Sequence, residues 1–142
     1  MPSKGALHGR LAVWLNKWLI VHAPAGVSVA CERTSRFSES HWPEPDFCLF
    51  PDRMAVDEVR GPDLLLVIEI ADTTIADDLK VKGPKYREYG VGEYWVIDLA
   101  ARVTHVHRRD GVWPAAVAEP FDANLEPAFA PGLRLRLSES GL

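Results

Sequence analysis

The sequence LLLVIEI, at residues 64–70, is apolar at every position except Glu69. An uninterrupted apolar run of this length predicts a β-strand that is covered on both faces, which is typical of a central strand in an α/β sheet. A carboxylate inside such a strand is costly unless it is paired with a cation, hydrogen-bonded or bound to a metal ion. Glu69 is therefore the first candidate functional residue.

Upstream of this strand, the sequence predicts one helix and two further strands. The helix shows apolar residues at helical spacing and is closed by Pro24 and Gly26. Two strands are predicted over Val27–Cys31 and Asp46–Phe50, with the polar stretch Glu32–His41 between them. We interpret the apolar face of the helix as a core-facing surface and not as a ligand-binding surface; it consists of Leu7, Leu11, Trp14, Leu15 and Trp18.

Downstream of this strand, the sequence predicts a second helix and further strands. The polar segment Asp72–Lys82 is predicted to be a connection, and Pro84 then suits the first turn of a helix that stops at Gly90. Beyond that glycine, two strands are expected to form a hairpin and a third strand lies near the C-terminus; they cover Tyr94–Ile97, Val103–Arg108 and Leu133–Leu137.

This order of elements predicts an α/β (α+β) fold with a mixed central β-sheet flanked by helices. The 142 residues suit a single domain, residues 1–142, because independent domains commonly have ~100–200 residues. The net charge of −4 argues against coating of nucleic acid by bulk positive charge, and predicts weak, salt-sensitive binding outside a local site. With Cys31 and Cys48 expected to be reduced, and no apolar run long enough for a membrane span or an export signal, we expect a cytoplasmic protein.

A second carboxylate, Asp46, opens a predicted strand immediately after Pro45. If the strands that carry Asp46 and Glu69 are neighbours, both acids emerge at the same edge of the sheet. Two carboxylates with room for water are what Mg²⁺ prefers, because this ion keeps part of its hydration shell. The alternative is that Glu69 pairs with a lysine or arginine for a purely structural purpose.

Lys82 lies thirteen residues after Glu69, at the predicted start of the second helix. From this position its side chain could reach back over the acids, where an ammonium group can orient a water molecule or stabilise developing negative charge on a phosphate. Lys80 is close enough in the sequence to compete for this role. A lysine that is simply solvated is the alternative interpretation of either residue.

Residues 63–99 read DLLLVIEIADTTIADDLKVKGPKYREYGVGEYWVIDL and closely resemble the Uma-type restriction endonuclease family. This large bacterial family belongs to the PD-(D/E)XK nuclease superfamily. The resemblance rests on motifs in order along the chain. They are Pro45-Asp46 before a strand, Glu69 and Asp72 in an E-x-x-D run, Asp78 four residues before Lys82, Lys82-x-Pro84-x-Tyr86, Gly90-Val91-x-Glu93-Tyr94-Trp95 and Asp98.

The resemblance implies a restriction-endonuclease-like core that hydrolyses DNA phosphodiester bonds by means of a metal-bound, lysine-oriented water. It also implies a metal site formed by Asp46, Glu69 and the backbone carbonyl of Ile70, with Mg²⁺ as the cofactor and Mn²⁺ as a possible replacement. In this superfamily the lysine usually lies two residues beyond the second acid, a position that Ala71 occupies here. The family has a lysine displaced onto the following helix instead, and Lys82 matches it.

Two departures from the family pattern temper this expectation. Family members usually carry an N-terminal strand hairpin before the first helix, and its absence here predicts a shortened or degenerate member. The first helix also has no inward-facing glutamate, which some related nucleases possess. A catalytically degenerate nuclease-fold scaffold or partner-binding module is therefore the competing hypothesis, and hydrolysis of another phosphate ester is a third. Asp72 and Asp78 either support the metal site or, for Asp78, begin the turn toward the helix.

The remaining signals from the sequence are open. His105 and His107 alternate along a strand and could bind a metal such as zinc, although surface exposure is the more common outcome for such a pair. The aromatic residues Tyr86, Tyr89, Tyr94 and Trp95 are expected in the core first and as base-stacking groups second. A basic cluster beside the acids either tracks a phosphate backbone or forms a solvated helix face; it contains Lys80, Lys82, Lys85 and Arg87. An exposed edge strand at Val103–Arg108 could support a homodimer.

Overall fold

The structure is a computed structural model that describes residues 5–32, 43–115 and 117–142. Most of the predicted connection Glu32–His41 lies outside these ranges. The described residues form one six-stranded sheet whose strands follow one another in chain order. These strands are β1 (Val27–Cys31), β2 (Phe47–Pro51), β3 (Leu66–Ala71), β4 (Glu93–Asp98), β5 (Val103–Arg108) and β6 (Ala118–Pro120). Only β3 and β4 are parallel, and the other neighbouring pairs are antiparallel.

Helices cover both faces of this sheet. The first helix, α1 (Ala6–His22), precedes β1. The connection between the parallel strands β3 and β4 is a second helical segment in three consecutive parts, α2 (Ile75–Asp77), a π-helical turn (Asp78–Lys82) and α3 (Gly83–Glu88). The predicted mixed central sheet flanked by helices is therefore confirmed. No helix within the described ranges is long and apolar enough to cross a membrane.

Strand β3 explains why the sequence LLLVIEI is apolar throughout. All six residues of the strand are buried. Leu66, Ile68 and Ile70 face the core that α1 covers, whereas Val67 and Ala71 face the core beneath the second helical segment. Because side chains alternate across a strand, a strand between two cores has to be apolar at nearly every position. Glu69 faces the same side as Val67 and Ala71.

The apolar face of α1 differs from the predicted one by a small rotation. The buried residues of α1 are His8, Leu11, Leu15 and Leu19, and Leu7 is 47% exposed. The prediction that Leu7 belongs to the core is therefore wrong, while Trp14 and Trp18 pack against the core at its margin. The buried residues follow a spacing of three, four and four, which places His8 on the inward face.

The second helical segment begins earlier than the sequence suggested. Asp72–Lys82 was predicted to be a polar connection, but the helix already begins at Ile75. Ile75 and Leu79, which are four residues apart, pack against the core. Of the two charged residues between them, Asp77 is exposed and Asp78 is buried. Lys82 is the last residue of the π-helical turn and the N-cap of α3, so its predicted position at the start of the helix that contains Pro84 is confirmed.

The C-terminal part of the sheet also differs from the prediction. No strand forms at Leu133–Leu137 in the part of the chain that the structure describes; Leu135 makes an isolated bridge to Leu125, and Leu137 begins a 3₁₀ turn. Instead β6 pairs with the first half of β5, so Val103–Arg108 is not the edge strand that was expected to support a dimer. A three-residue strand that ends in proline is too short to produce a periodic signal.

Candidate active site

The candidate site lies where β2 begins and β3 ends. These strands are antiparallel neighbours whose last paired residues are Phe47 and Ile68, so Asp46 and Glu69 each lie one residue beyond that pair. The backbone N–H of Asp46 donates a hydrogen bond of 3.0 Å to Glu69 Oε1. The backbone N–H of Ile70 donates one of 2.7 Å to Asp46 Oδ2. Strand register therefore brings Asp46 into contact with Glu69 and Ile70, which lie more than twenty positions later in the sequence.

Lys82 reaches this pair of acids from the π-helical turn. Its Nζ lies 2.8 Å from Glu69 Oε2 and 3.1 Å from Asp78 Oδ1. The lysine side chain is 39% exposed, whereas the two carboxylates are buried. Lys80, the competing lysine, lines a different cavity on the same segment. The structure thus places Lys82, and not Lys80, over the acids, and Lys82 is the N-cap residue of α3.

The π-helical turn is held in place by a buried tyrosine. Tyr94 projects from β4, and its hydroxyl donates a 3.0 Å hydrogen bond to the carbonyl of Asp78. The ring of Tyr94 packs edge-on against Tyr86 at 4.8 Å between centroids, and both side chains are fully buried. Trp95 is also buried, so the prediction that these three aromatic residues belong to the core is confirmed. Wider helical turns of this kind often occur at functional sites.

The pKa values of the buried acids Glu69 and Asp78 are raised although Lys82 contacts them. Burial raises the pKa of Glu69 to about 7, with the nearby Asp46 and Asp78 charges adding to the rise and Lys82 opposing it. Burial likewise raises the pKa of Asp78. For Lys82, burial alone would lower the pKa, but the charges and hydrogen bonds of Glu69 and Asp78 outweigh it and raise the pKa. An additional cation near Glu69 would relieve this imbalance.

His8 is a site residue that the sequence reading missed. It projects from the first turns of α1, is only 4% exposed, and its Nε2 lies 3.3 Å from Asp46 Oδ2. No inward-facing glutamate was found in α1, and the structure places a histidine on that inward face. The spacing of His8 to Leu11, Leu15 and Leu19 was the signal that could have revealed it.

The other predicted acids and histidines occupy separate places. Asp72 lies beside the N-terminus of α1, where a side chain at Gly5 would come within 2.6 Å of Asp72 Oδ2. His105 and His107 share one face of β5, but His107 is only 1% exposed, so its predicted surface location is wrong. Among the described residues, no group of three or more His, Cys, Asp or Glu side chains is arranged to hold a metal ion.

Comparison with known proteins identifies the family. Residues 1–138 match the family model described as "Uma2: Putative restriction endonuclease". The chain belongs to the Uma2 family. The proteins of curated function give no match.

The Uma2 assignment agrees with the fold. A solved structure, described as a "putative nuclease belonging to DUF820" from Anabaena variabilis, superposes on the chain with a TM-score of 0.71 and 17% sequence identity. The alignment covers 98% of this chain and 82% of that one. At this identity, the likeness shows a shared nuclease-like fold.

Restriction endonuclease-like families such as Uma2 usually use divalent metal ions, and the side chains here suit one such ion. Two buried carboxylates lie close to each other, because Glu69 accepts a hydrogen bond from the Asp46 amide and Asp46 accepts one from the Ile70 amide. Mg²⁺ needs few protein ligands because it retains several water molecules, so two carboxylates and one carbonyl are a sufficient set of oxygen donors. Burial raises the pKa of Glu69, the nearby Asp46 charge adds to the rise, and Lys82 opposes it, so a bound cation would favour the ionised carboxylate.

Proposed function

We propose that this Uma2 protein is a Mg²⁺-dependent endonuclease that hydrolyses phosphodiester bonds in DNA. The observation that carries the proposal is the convergence of Asp46, Glu69 and Lys82 from the ends of two strands and from a helical segment. The Asp46 amide and the Lys82 ammonium both donate hydrogen bonds to Glu69, at 3.0 Å and 2.8 Å. The Ile70 amide donates one of 2.7 Å to Asp46. Family membership supports nucleic acid as the substrate.

Asp46, Glu69 and the carbonyl of Ile70 would hold the metal ion in this proposal. When bound, Mg²⁺, or Mn²⁺ in its place, would supply Lewis-acid stabilisation of the phosphate and lower the pKa of a coordinated water. The hydrogen bonds from the Asp46 and Ile70 amides hold the two carboxylates in a fixed orientation. Such preorganisation matters because a carboxylate that is free to rotate binds a metal ion less tightly.

Lys82 would orient the attacking water and stabilise charge on the phosphate. Its side chain is 39% exposed and therefore accessible to a substrate, and its ammonium group contacts the buried Glu69. The raised pKa of Lys82 keeps the group protonated, so it acts as a hydrogen-bond donor. Asp78, four residues earlier on the same helical segment, keeps the lysine directed toward the acids.

The charge pattern of the second helical segment supports a DNA substrate. Lys80, Lys85 and Arg87 are exposed on this segment, close in sequence to Lys82. Positive side chains near a metal site can neutralise phosphates on either side of the scissile bond, and such contacts make binding sensitive to salt. The acidic total charge of the chain is therefore compatible with local binding of DNA.

Metal titration and DNA cleavage test this proposal together. Calorimetry should show Mg²⁺ binding that is lost in Asp46→Asn and Glu69→Gln, and supercoiled plasmid should be nicked only when Mg²⁺ or Mn²⁺ is present. Lys82→Ala should slow nicking by about 10²–10⁴-fold, the usual contribution of a positioned proton-transfer or water-orienting group. Lys17→Ala, which alters an exposed lysine on α1, is the matched control and should nick at the parental rate.

A second candidate function is a catalytically inactive nuclease-fold module that binds a partner. The observation that favours it is the use of both Glu69 oxygens by the chain itself, one by the Asp46 amide and the other by Lys82. In this case Lys82 substitutes for the metal ion. Absence of Mg²⁺ and Mn²⁺ binding by the native protein would support the inactive module and contradict the enzyme.

A further inference from the structure

A cavity with a volume of about 480 Å³, separate from the candidate active site, lies between the second helical segment and β5. Its described lining includes Lys80 and Arg87 from the helical segment, His105 and His107 from β5, and Trp113. Asp46, Glu69 and Lys82 are not among these described lining residues. The size falls in the range of ~300–1,000 Å³ that is typical of small-molecule sites.

His107 gives this cavity a hydrogen-bond acceptor. Its Nδ1 lies 3.0 Å from the carbonyl of Tyr94 and 3.2 Å from the carbonyl of His105. Carbonyl oxygens only accept hydrogen bonds, so Nδ1 carries the hydrogen and Nε2 of the neutral ring carries a lone pair. Burial lowers the pKa of His107, which favours this neutral form. Within the described ranges Nε2 has no hydrogen-bond partner, so a ligand in the cavity would satisfy it by donating one.

The wall and the rim of the cavity add two further requirements. The Trp113 indole is fixed by a 3.2 Å hydrogen bond from its Nε1 to the carbonyl of Gly83, and its ring packs edge-on to His107 at 5.5 Å. Arg87 is held at the rim because its guanidinium donates to the carbonyl of Trp113 at 3.1 Å, and Lys80 is a second exposed cation. A ligand that suits this cavity has a flat apolar body, an N–H donor and a negative charge.

We propose that this cavity binds a nucleotide. The base would lie against Trp113 and donate an N–H hydrogen bond to His107 Nε2, while the phosphate would pair with Lys80 and Arg87. Every nucleobase carries an N–H donor on its Watson–Crick edge, and aromatic side chains bind bases by stacking without strong sequence preference.

Two sources can supply this nucleotide, a free nucleoside monophosphate or one nucleotide of a bound strand. Glu69 is in register with Val96, and Val96 with His105, so the cavity is two strands away from the candidate active site on the same face of the sheet. At ~4.8 Å between neighbouring strands, the backbones of Glu69 and His105 are about 10 Å apart. The strand source rests on the proposed function, whereas the free nucleotide does not.

Calorimetry with the four deoxynucleoside 5′-monophosphates, in EDTA, tests the free nucleotide. Lys80→Glu should weaken binding about tenfold because it replaces an attractive charge at the phosphate by a repulsive one. Lys17→Glu makes the same change of charge on α1, away from the cavity, and should bind like the parent. His107→Phe keeps an aromatic side chain but removes both ring nitrogens, including the Nε2 acceptor, and should also weaken binding in a protein that circular dichroism shows to be folded.

Fluorescence anisotropy with a short single-stranded DNA tests the strand. The measurement uses the Glu69→Gln background in EDTA to prevent cleavage, and compares the same Lys80→Glu and Lys17→Glu changes. Selective weakening by Lys80→Glu in this assay alone assigns the cavity to a nucleotide of a strand. If neither mononucleotide nor strand binding distinguishes the two variants, the cavity inference is overturned. Metal-dependent plasmid nicking by the parent would then leave the proposed function standing, and nucleotide binding without nicking would leave only the cavity inference.

Discussion

Replacement of Glu69 by glutamine should change how the stability of the metal-free protein depends on pH. Glu69 is buried, and burial raises its pKa from 4.5 to about 7. Between these two values the folded protein holds a proton that the unfolded chain has released. The free energy of unfolding should therefore fall as the pH rises through this window, because each unit of pH drives the unfolded chain to ionise while Glu69 stays protonated.

The size of this effect follows from the pKa shift. A rise from 4.5 to about 7 corresponds to a loss of about 3 kcal/mol of stability between low pH and pH 8, at ~1.4 kcal/mol per pKa unit. Glutamine has the same shape and does not ionise, so the Glu69→Gln protein should lack this loss. Below pH 4.5 the two proteins should be close in stability, and at pH 8 the glutamine variant should be the more stable one.

Urea denaturation in EDTA measures this difference directly. Unfolding curves of both proteins at pH 5 and pH 8 give the free energies, and the difference between the proteins removes contributions from other titrating groups such as His107, whose pKa burial lowers. If Mg²⁺ binds at Glu69, a concentration about 100 times the Kd should restore ~2.7 kcal/mol to the parent at pH 8 and little to Glu69→Gln.

A constant difference between the two proteins from pH 5 to pH 8 would refute this reasoning. It would mean that Lys82 and the Asp46 amide stabilise the Glu69 carboxylate as well as water does. The control is Glu88→Gln, which makes the same substitution at an exposed position of α3 and should keep the parent's fall in stability between pH 5 and pH 8.

Four further substitutions test other parts of the structure. His8→Ala removes the imidazole that contacts Asp46 and should weaken Mg²⁺ binding by about 10–100-fold, as loss of a ligand-orienting neighbour typically does. Calorimetry measures the affinity, and an unchanged affinity would show that His8 only fills space. Tyr94→Phe removes the hydroxyl that holds the π-helical turn and should cost about 1–3 kcal/mol in urea unfolding, with a change below 0.5 kcal/mol as the contradicting result. Gly61→Ala would place a Cβ 1.9 Å from the Tyr89 carbonyl oxygen and should lower the melting temperature, whereas Gly9→Ala on α1 meets no atom within 4 Å and should stabilise the helix by about 0.5–1 kcal/mol.

The central strand and the sheet around it were predictable because local patterns encode them. The bounds of β1 and β5 agree with the predicted ones, and β3 is shifted by one or two residues from the predicted Leu64–Ile70. Leu64 and Leu65 are buried or half-buried in the turn that leads into the strand, so hydrophobicity alone does not separate them from the strand. The short β6 was missed for the opposite reason: two of its three residues, Glu119 and Pro120, are exposed, so the strand has no apolar pattern.

The candidate site was predictable in its members but not in its contacts. Motif order selected Asp46, Glu69 and Lys82, and an apolar strand that contains one acid already marks Glu69 as unusual. The ion pair between Lys82 and Asp78 forms within the π-helical turn, and no hydrophobic periodicity in the sequence predicts such a turn. His8 was overlooked because its contact with Asp46 joins residues 38 positions apart through the packing of α1 on the sheet.

By itself, the sequence determined the class of fold, the buried strand β3 and the identity of the three candidate active-site residues. These features depend on side-chain alternation, helical spacing and the order of short motifs, all of which act over a few neighbouring residues. Only the tertiary structure decided that Lys82 rather than Lys80 meets Glu69, that His8 contacts Asp46, and that His107 is buried with an acceptor facing a cavity. The physical reason is that strand register and helix packing set distances between residues that are remote in the chain, and a change of one residue in register turns every side chain of a strand to the opposite face.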